Sequence, residues 1–205
     1  MAESDTPAPA LPRERPDSSP QFAAVPGPVV PRLTGRFRVR VLDPRGRDLQ
    51  LLTEWMARPH LASTWEQPWP AQRWEADCTA RLAGRYSVPL IFTVDGVDAG
   101  YLELYRVARD EVGAVYDVDP YDMGFHIAVG ETEYIGNGVG TALIAELASA
   151  VLAAEPLCQQ MVGDPSVDNA PVHRALTKAG FVDHGCFDVR PSRRITLFIR
   201  PRDAD

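Results

Sequence analysis

Cysteine is scarce in this chain: three residues, Cys78, Cys158 and Cys186, far apart and with no CxxC pair. That spacing offers neither a disulfide framework nor a cysteine-built metal site, so no metal is expected, and it fits the reduced thiols of a cytoplasmic protein. Positive charge is also in deficit, with 21 Lys and Arg against 28 Asp and Glu and a net charge of −7. A nucleic-acid-binding face and an anionic membrane surface are therefore not expected as partners, although a local basic groove remains compatible with the balance. No apolar run approaches the roughly 20 residues of a membrane-spanning helix, and the N-terminus has no apolar signal core. What is present is a 205-residue chain, 45% hydrophobic, enough for one domain with its own core and a tail.

Residues 1–32 hold 8 of the 19 prolines, with Ala, Ser and charges between them and no period. They read as a disordered tail, with an arm folded back through Phe22 and Val25 as the alternative. Residues 33–205 read as a single α/β domain. Residues 36–42 alternate basic and apolar side chains, as a half-buried strand does. Residues 43–46 form a turn, and Asp48 is placed to cap a helix carrying Leu49, Leu52, Trp55 and Met56, ended by Arg58-Pro59-His60. All four tryptophans, Trp55, Trp65, Trp69 and Trp74, fall in the next stretch, where Pro59, Pro68 and Pro70 keep the middle from regular helix. These aromatics pack a long connection onto the body or, with Trp65, wall a substrate pocket, and the two roles are compatible.

A helix from about Ala71 to Ala83 follows, then strands over Ser87–Val94 and Val97–Tyr105 joined at Asp95-Gly96, a hairpin signal. In the second strand Tyr101, Glu103 and Tyr105 share one face. That face is either an acidic patch able to hold a cationic substrate or an exposed edge. Residues 106–116 read as a loop. In the strand ending at Val129, Met123, Phe125, Ile127 and Val129 point one way, and Gly124, His126 and Ala128 the other. His126 thus has the two smallest residues beside it and room around its imidazole.

The stretch Tyr134-Ile135-Gly136-Asn137-Gly138-Val139-Gly140-Thr141 lies between that strand and a helix with Val139, Leu143, Leu147 and Val151 on one face. Glycine lets backbone N–H groups approach a ligand, and a helix start adds unpaired donors and partial positive charge. The stretch reads as a phosphate site without the Lys of a Walker loop, with a tight strand-to-helix connection packed by small residues as the alternative. A short strand, Gln159–Gly163, must then lie parallel to the His126 strand, since a helix connects the two. Asn169 starts another helix with Val172, Leu176 and Ala179 inward and Gly180 as its stop. Residues 181–189 and 195–200 close the domain as an antiparallel pair.

This order, with Asn169 followed eleven residues later by Gly180-Phe181, resembles the N-acetyltransferases of the GNAT superfamily over residues 36–200. The resemblance implies a central mixed, mostly antiparallel sheet with two splayed parallel strands and flanking helices. It implies acyl-CoA as cosubstrate, with the glycine turn (Gly136, Asn137, Gly138, Val139, Gly140, Thr141) and Asn169 toward the cofactor. Two positions depart from the family: Ile135 replaces a Gln or Arg, and Leu176 replaces a tyrosine that serves as acid for the thiolate. A closer resemblance is to the siderophore branch, the lysine N-acyltransferases of mycobactin assembly and the acetyltransferases of hydroxylysine and hydroxyornithine. The residues that carry it are Glu54 to Leu61, Trp65-Glu66, Trp69-Pro70, Pro89-Leu90-Ile91, Gly100 to Tyr105, Asp119 to His126, and Asp164-Pro165.

That branch implies substrate contact by His126 and a base at Asp164. It implies acyl transfer from a thioester, on coenzyme A or an acyl carrier protein, to a small-molecule amine or hydroxylamine. An alkyl ammonium, pKa about 10.4, must lose a proton before attack, to Asp164 or His126. Glu103, with Tyr101, would orient the amine, and backbone N–H groups near Ile127 and Val129 would hold the developing oxyanion. Two other classes stay open: an aminoglycoside N-acetyltransferase, which usually has an acid where this chain has His126, and a non-catalytic acyl-CoA-binding module.

Overall fold

The computed structural model describes residues 11–15, 20–65 and 67–202. Seven strands form one sheet: β1 (Phe37–Val41), β2 (Ser87–Val94), β3 (Val97–Arg106), β4 (Met123–Val129), β5 (Gln160–Gly163), β6 (Val182–Arg190) and β7 (Arg193–Pro201). Their order is β1-β2-β3-β4-β5-β7-β6. All neighbours are antiparallel except β4 and β5, which run parallel and pair only through Met123↔Met161 and Gly124↔Val162. Beyond Gly124, β4 has no strand partner on its β5 side among the described residues. Alternate N–H and C=O groups there point to the side on which the two strands diverge, because each strand residue turns its polar groups to one edge. This is the splayed parallel pair inside a mostly antiparallel sheet that the sequence implied.

The helices are α1 (Pro20–Ala23), α2 (Arg47–Met56), α3 (Pro59–Trp65), α4 (Ala71–Ala83), α5 (Val139–Ala154) and α6 (Ala170–Lys178). Helix α5 buries Val139, Leu143, Ile144, Leu147, Ala148 and Val151 against one sheet face, where Leu102, Leu104, Met123 and Phe125 also sit. The other face carries two clusters, one of Trp55, Trp74, Ile91, Tyr101 and Ala128, the other of Tyr86, Tyr105, Val112 and Leu197. Both faces of β3 and β4 are therefore covered, and Glu103 on β3 is buried among apolar neighbours.

Several local expectations are corrected. Gly46, not Asp48, is the N-cap of α2. Asp48 sits in the first turn, accepts from Asp43 N at 3.0 Å and pairs with Arg40. Pro59 opens α3 rather than interrupting the segment, since proline at the first helical position loses no hydrogen bond. Residues 107–109 and 111–114 are short 3₁₀ turns, not irregular loop. The Asp95-Gly96 hairpin has both residues at positive φ, 50° and 85°, as its turn type requires.

Of the expected tail, residues 1–10 and 16–19 lie outside the described residues, as do Glu66 and 203–205. The described part of residues 20–32 follows the folded-back alternative. Val25 is buried, Arg109 donates to Phe22 O at 2.7 Å, and buried Arg106 donates to Pro26 O at 3.0 Å and Gly27 O at 3.1 Å. These carbonyls supply the acceptors that a buried guanidinium needs.

Asp122, just before β4, shows what such burial costs. Its Oδ2 accepts from Tyr116 Oη, Asp119 N and Gln160 Nε2 at 3.0–3.1 Å, but its Oδ1 has no hydrogen-bond partner among the described residues. Burial pushes its pKa from 3.8 to about 6, against hydrogen bonds that lower it. A folded-state pKa above the unfolded one means that its contribution is present below about pH 4 and is lost as pH rises through about 6. Asp122→Asn has no charge to bury. Urea unfolding of variant and wild type should shift in the variant's favour by about 2–3 kcal/mol between pH 4 and pH 8. A constant difference would show that Asp122 stays at its ordinary pKa.

Candidate active site

The β3–β4 register places Glu103 beside His126 and Tyr105 beside Gly124. The room expected beside His126 is taken: a Cβ at Gly124 would run into the Tyr105 ring. That ring stacks on the imidazole at 4.6 Å and 21°. Glycine here serves an aromatic platform rather than an open space.

His126 bridges two carboxylates. Its Nδ1 is 3.8 Å from Glu103 Oε2 and its Nε2 is 3.4 Å from Asp164 Oδ1, with the side chain 13% exposed. Arg13 Nη1, from the N-terminal segment, meets Nε2. A guanidinium only donates, so this contact calls for the tautomer with the lone pair on Nε2 and the proton on Nδ1, facing Glu103.

Glu103 is buried, which removes the exposed-edge alternative for its strand face: β3 lies inside the sheet. It pairs with Arg81, which also holds Asp77 at 2.6 Å and Ser87 Oγ at 2.7 Å. Burial alone would raise the Glu103 pKa; Arg81, followed by His126 and Arg13, outweighs it and lowers the pKa to about 2. Glu103 is thus a fixed anion already matched by Arg81, and its direct neighbour is His126. Tyr101 is fully buried, donates to Glu103 Oε2 at 3.4 Å and braces Trp65 edge-on at 5.6 Å.

Asp164, at the end of β5, is buried. Its Oδ1 accepts from Tyr105 Oη at 2.7 Å and its Oδ2 pairs with Arg193. Arg193 is held in turn by Glu111 at 2.6 Å. Burial would raise the Asp164 pKa, but Arg193, with His126 and Arg13, holds it well below the usual carboxylate range. Such a carboxylate is a weak proton acceptor and a strong partner for an imidazolium. Nearby, fully buried Asp110 accepts from Tyr86 Oη and from Val112 N at 2.9 Å. Burial first, and then the charge of Asp164, raises its pKa.

Trp65 closes the centre from above, edge-on to His126 at 6.2 Å. With Gln67 it walls the cavity over Glu103 and His126. Of the other tryptophans, Trp55 and Trp74 are core, and Trp69 is half-buried under Arg73 at 4.0 Å. Trp55 does more than pack. Its Nε1 donates to Glu131 Oε1 at 2.8 Å. Arg58 donates to Gly130 O at 2.5 Å and Glu131 Oε2 at 2.9 Å, and His60 contacts Val129 O at 3.0 Å. These three residues pin the chain where β4 leads into the glycine turn.

In that turn Gly136 and Gly138 have φ of 81° and 86°, and nothing lies within 4 Å of a Cβ built at Gly136, Gly138 or Gly140. The result is an open cradle whose first-turn N–H groups have no intrahelical acceptor. Asn137 donates to Glu133 O at 2.8 Å. Asn169 caps α6, accepting from Val172 N at 3.4 Å. Both side chains shape local turns, so any ligand at the cradle meets main chain first. Val139 is buried; Thr141 is half-buried at the helix start. The chemistry suits a pyrophosphate: backbone donors and a helix start, with exposed Ile135 adding no charge. Among the described residues no His, Cys, Asp and Glu group has metal-binding geometry, and no helix is long and apolar enough to cross a membrane.

Residues 45–189 match the family profile described as "Acetyltransferase (GNAT) domain". The chain belongs to the GNAT family. Among curated GNAT relatives, lysine N-acyltransferase MbtK of Mycolicibacterium paratuberculosis is 40% identical over 194 residues, 95% of this chain and 86% of the relative. The N(6)-hydroxylysine O-acetyltransferase of Escherichia coli is 29% identical over 172 residues, 84% of this chain and 54% of the relative. Among solved structures, aminoglycoside acetyltransferase AAC(6')-Ib with coenzyme A superposes with a TM-score of 0.72 at 24% identity, covering 81% of this chain and 95% of that one. At that identity the likeness shows the fold alone.

Proposed function

We propose that this GNAT enzyme moves an acyl group from a thioester, on coenzyme A or an acyl carrier protein, to the side-chain amine or N-hydroxyamine of lysine or ornithine during hydroxamate siderophore assembly. The observation that carries the reading is His126 Nε2, a lone pair at the cavity floor held toward an incoming cationic N–H. The names of the relatives support the acceptor class. Bound at the cradle, the cosubstrate supplies the acyl group as a thioester. The glycine turn holds its phosphates through main-chain N–H groups, and unpaired N–H groups of β4 near Ile127 and Val129 face the carbonyl. His126 takes the proton of the acceptor ammonium at Nε2. Glu103 and Asp164, both fixed anions, stabilise the imidazolium that results. Tyr105 and Arg193 hold Asp164 in place, and Trp65 shields the acceptor from water. Leu176 is buried and offers no acid, which a thiolate leaving group scarcely needs.

Thiol release tests the reading directly. Donors are acetyl-, succinyl- and palmitoyl-CoA; acceptors are lysine, N-hydroxylysine, N-hydroxyornithine and an aminoglycoside. Turnover with an amino-acid amine or hydroxylamine is expected and would name the substrate, while turnover with the aminoglycoside alone would overturn the assignment. Binding of coenzyme A without turnover would direct the test to acylated carrier protein, and failure there too would leave a binding module. In the active pair, Asp164→Asn should lower kcat by about 10–100-fold, less than loss of the proton acceptor itself, with donor affinity unchanged. An unchanged kcat would remove Asp164 from the mechanism.

A further inference from the structure

Leu11–Arg15 pack against the domain beside His126, with Pro12 and Arg13 lining the cavity over it. Leu11 is buried with Tyr86, Tyr105 and Val112. Arg15 N donates to Arg109 O at 2.8 Å, Glu111 N donates to Arg13 O at 2.9 Å, and Glu14 bridges Asp110 in antiparallel fashion. The segment is thus a short added strand on residues 109–111. Its Arg13 backbone is left-handed, φ 67°, a conformation that non-glycine residues adopt only when their surroundings hold them. That twist aims the guanidinium at His126 Nε2. Its charge contributes to the low pKa values of Glu103 and Asp164. With it in place the cavity between Pro12, Trp65, Gln67, Glu103 and His126 keeps about 10 Å³, the room of a single water.

We infer that Arg13 occupies the subsite of the acceptor's basic side chain, so that the N-terminal arm is a built-in competitor for the acceptor. The inference rests on the proposed acyl transfer for what the acceptor is, and on geometry for where it binds. A reacting ammonium must present an N–H to Nε2; Arg13 presents one there already. A guanidinium stays protonated at any working pH and its lone pairs are delocalised, so it fills the subsite without being acylated. The arm must leave for an acceptor to react, since Arg13 already holds the Nε2 contact that the reacting ammonium needs.

Two readouts on the full chain test this. Arg13→Ala should lower KM for L-lysine, or whichever amine turns over, by about fivefold to tenfold at unchanged kcat. Leu11→Asp, which loosens the anchor without touching the subsite, should do the same. An unchanged KM would overturn the inference, and a raised KM would make Arg13 part of the acceptor site instead. Independently of turnover, saturating agmatine or L-lysine should speed hydrogen exchange at the Arg15 and Glu111 amides. Unaltered protection would overturn the inference. Faster exchange without acylation of any amine would uphold the arm's role and sink the acyl-transfer reading, whereas turnover of lysine with an unchanged KM in Arg13→Ala would sink the arm alone.

Discussion

His126→Ala is expected to lower kcat by about 10²–10⁴-fold, the usual worth of a positioned acid or base. Donor affinity should hold, because the glycine cradle lies beyond the far end of β4 from the residues that grip the imidazole. The proton acceptor must be a group that no fixed ion pair already neutralises, and it must face the acceptor nitrogen. Glu103 fails the first condition, being matched by Arg81 and lowered to about 2. Asp164 fails it as well, with Arg193 and Tyr105 spending both of its oxygens. His126 is left, its Nδ1–H toward Glu103 and its Nε2 open once Arg13 departs. His126→Gln keeps a planar polar group on the Tyr105 platform but cannot take a proton, so it should be nearly as slow as alanine. Steady-state kinetics with coenzyme A titration decides this. A kcat within twofold of wild type in either variant would take His126 out of the proton transfer and leave attack by an already neutral amine.

Local signals were legible in the residues and long-range pairings were not. The glycine turn, the α5 stripe and the alternation on β3 and β4 follow from short-range geometry, and each element formed where its pattern lay. His126, Glu103 and Asp164 came together because the β3–β4 register and the parallel β5 place them so. Other partners had no local signal. Arg193 reaches Asp164 across 29 positions and Arg13 reaches His126 across 113. A proline-rich segment reads as disordered when its anchors lie on other elements. Tyr105 stood on the right strand face, but its role depends on the missing side chain at Gly124, one strand away. Arg81 did leave a trace: it follows Asp77 by one helical turn, a spacing that pairs opposite charges. What hid its importance is burial, which turns an ordinary helix pair into the counter-charge of the site.

Arg81→Ala is accordingly expected to destabilise the fold by about 3–5 kcal/mol, the cost of breaking a buried ion pair by removing one member. Both Asp77 and Glu103 lie buried around it, and among the described residues no other arginine or lysine forms an ion pair with either. Burial already raises the Asp77 pKa with Arg81 present; without Arg81, burial acts unopposed by that charge on Glu103 too. The sign then reverses for Glu103. In the wild type its folded-state pKa lies below the unfolded value of 4.5, so its contribution is present above that pH and is lost on acidification. In the variant a raised pKa makes the folded state hold the proton more tightly, so stability is gained as pH falls. The deficit of Arg81→Ala should therefore be largest near pH 8 and shrink toward pH 4.5, as read by urea unfolding at both. Adding Glu103→Gln removes one stranded charge, and the double variant should recover part of the loss at pH 8. A deficit of equal size at every pH would mean that Arg81 acts through packing of its stem, not through its charge.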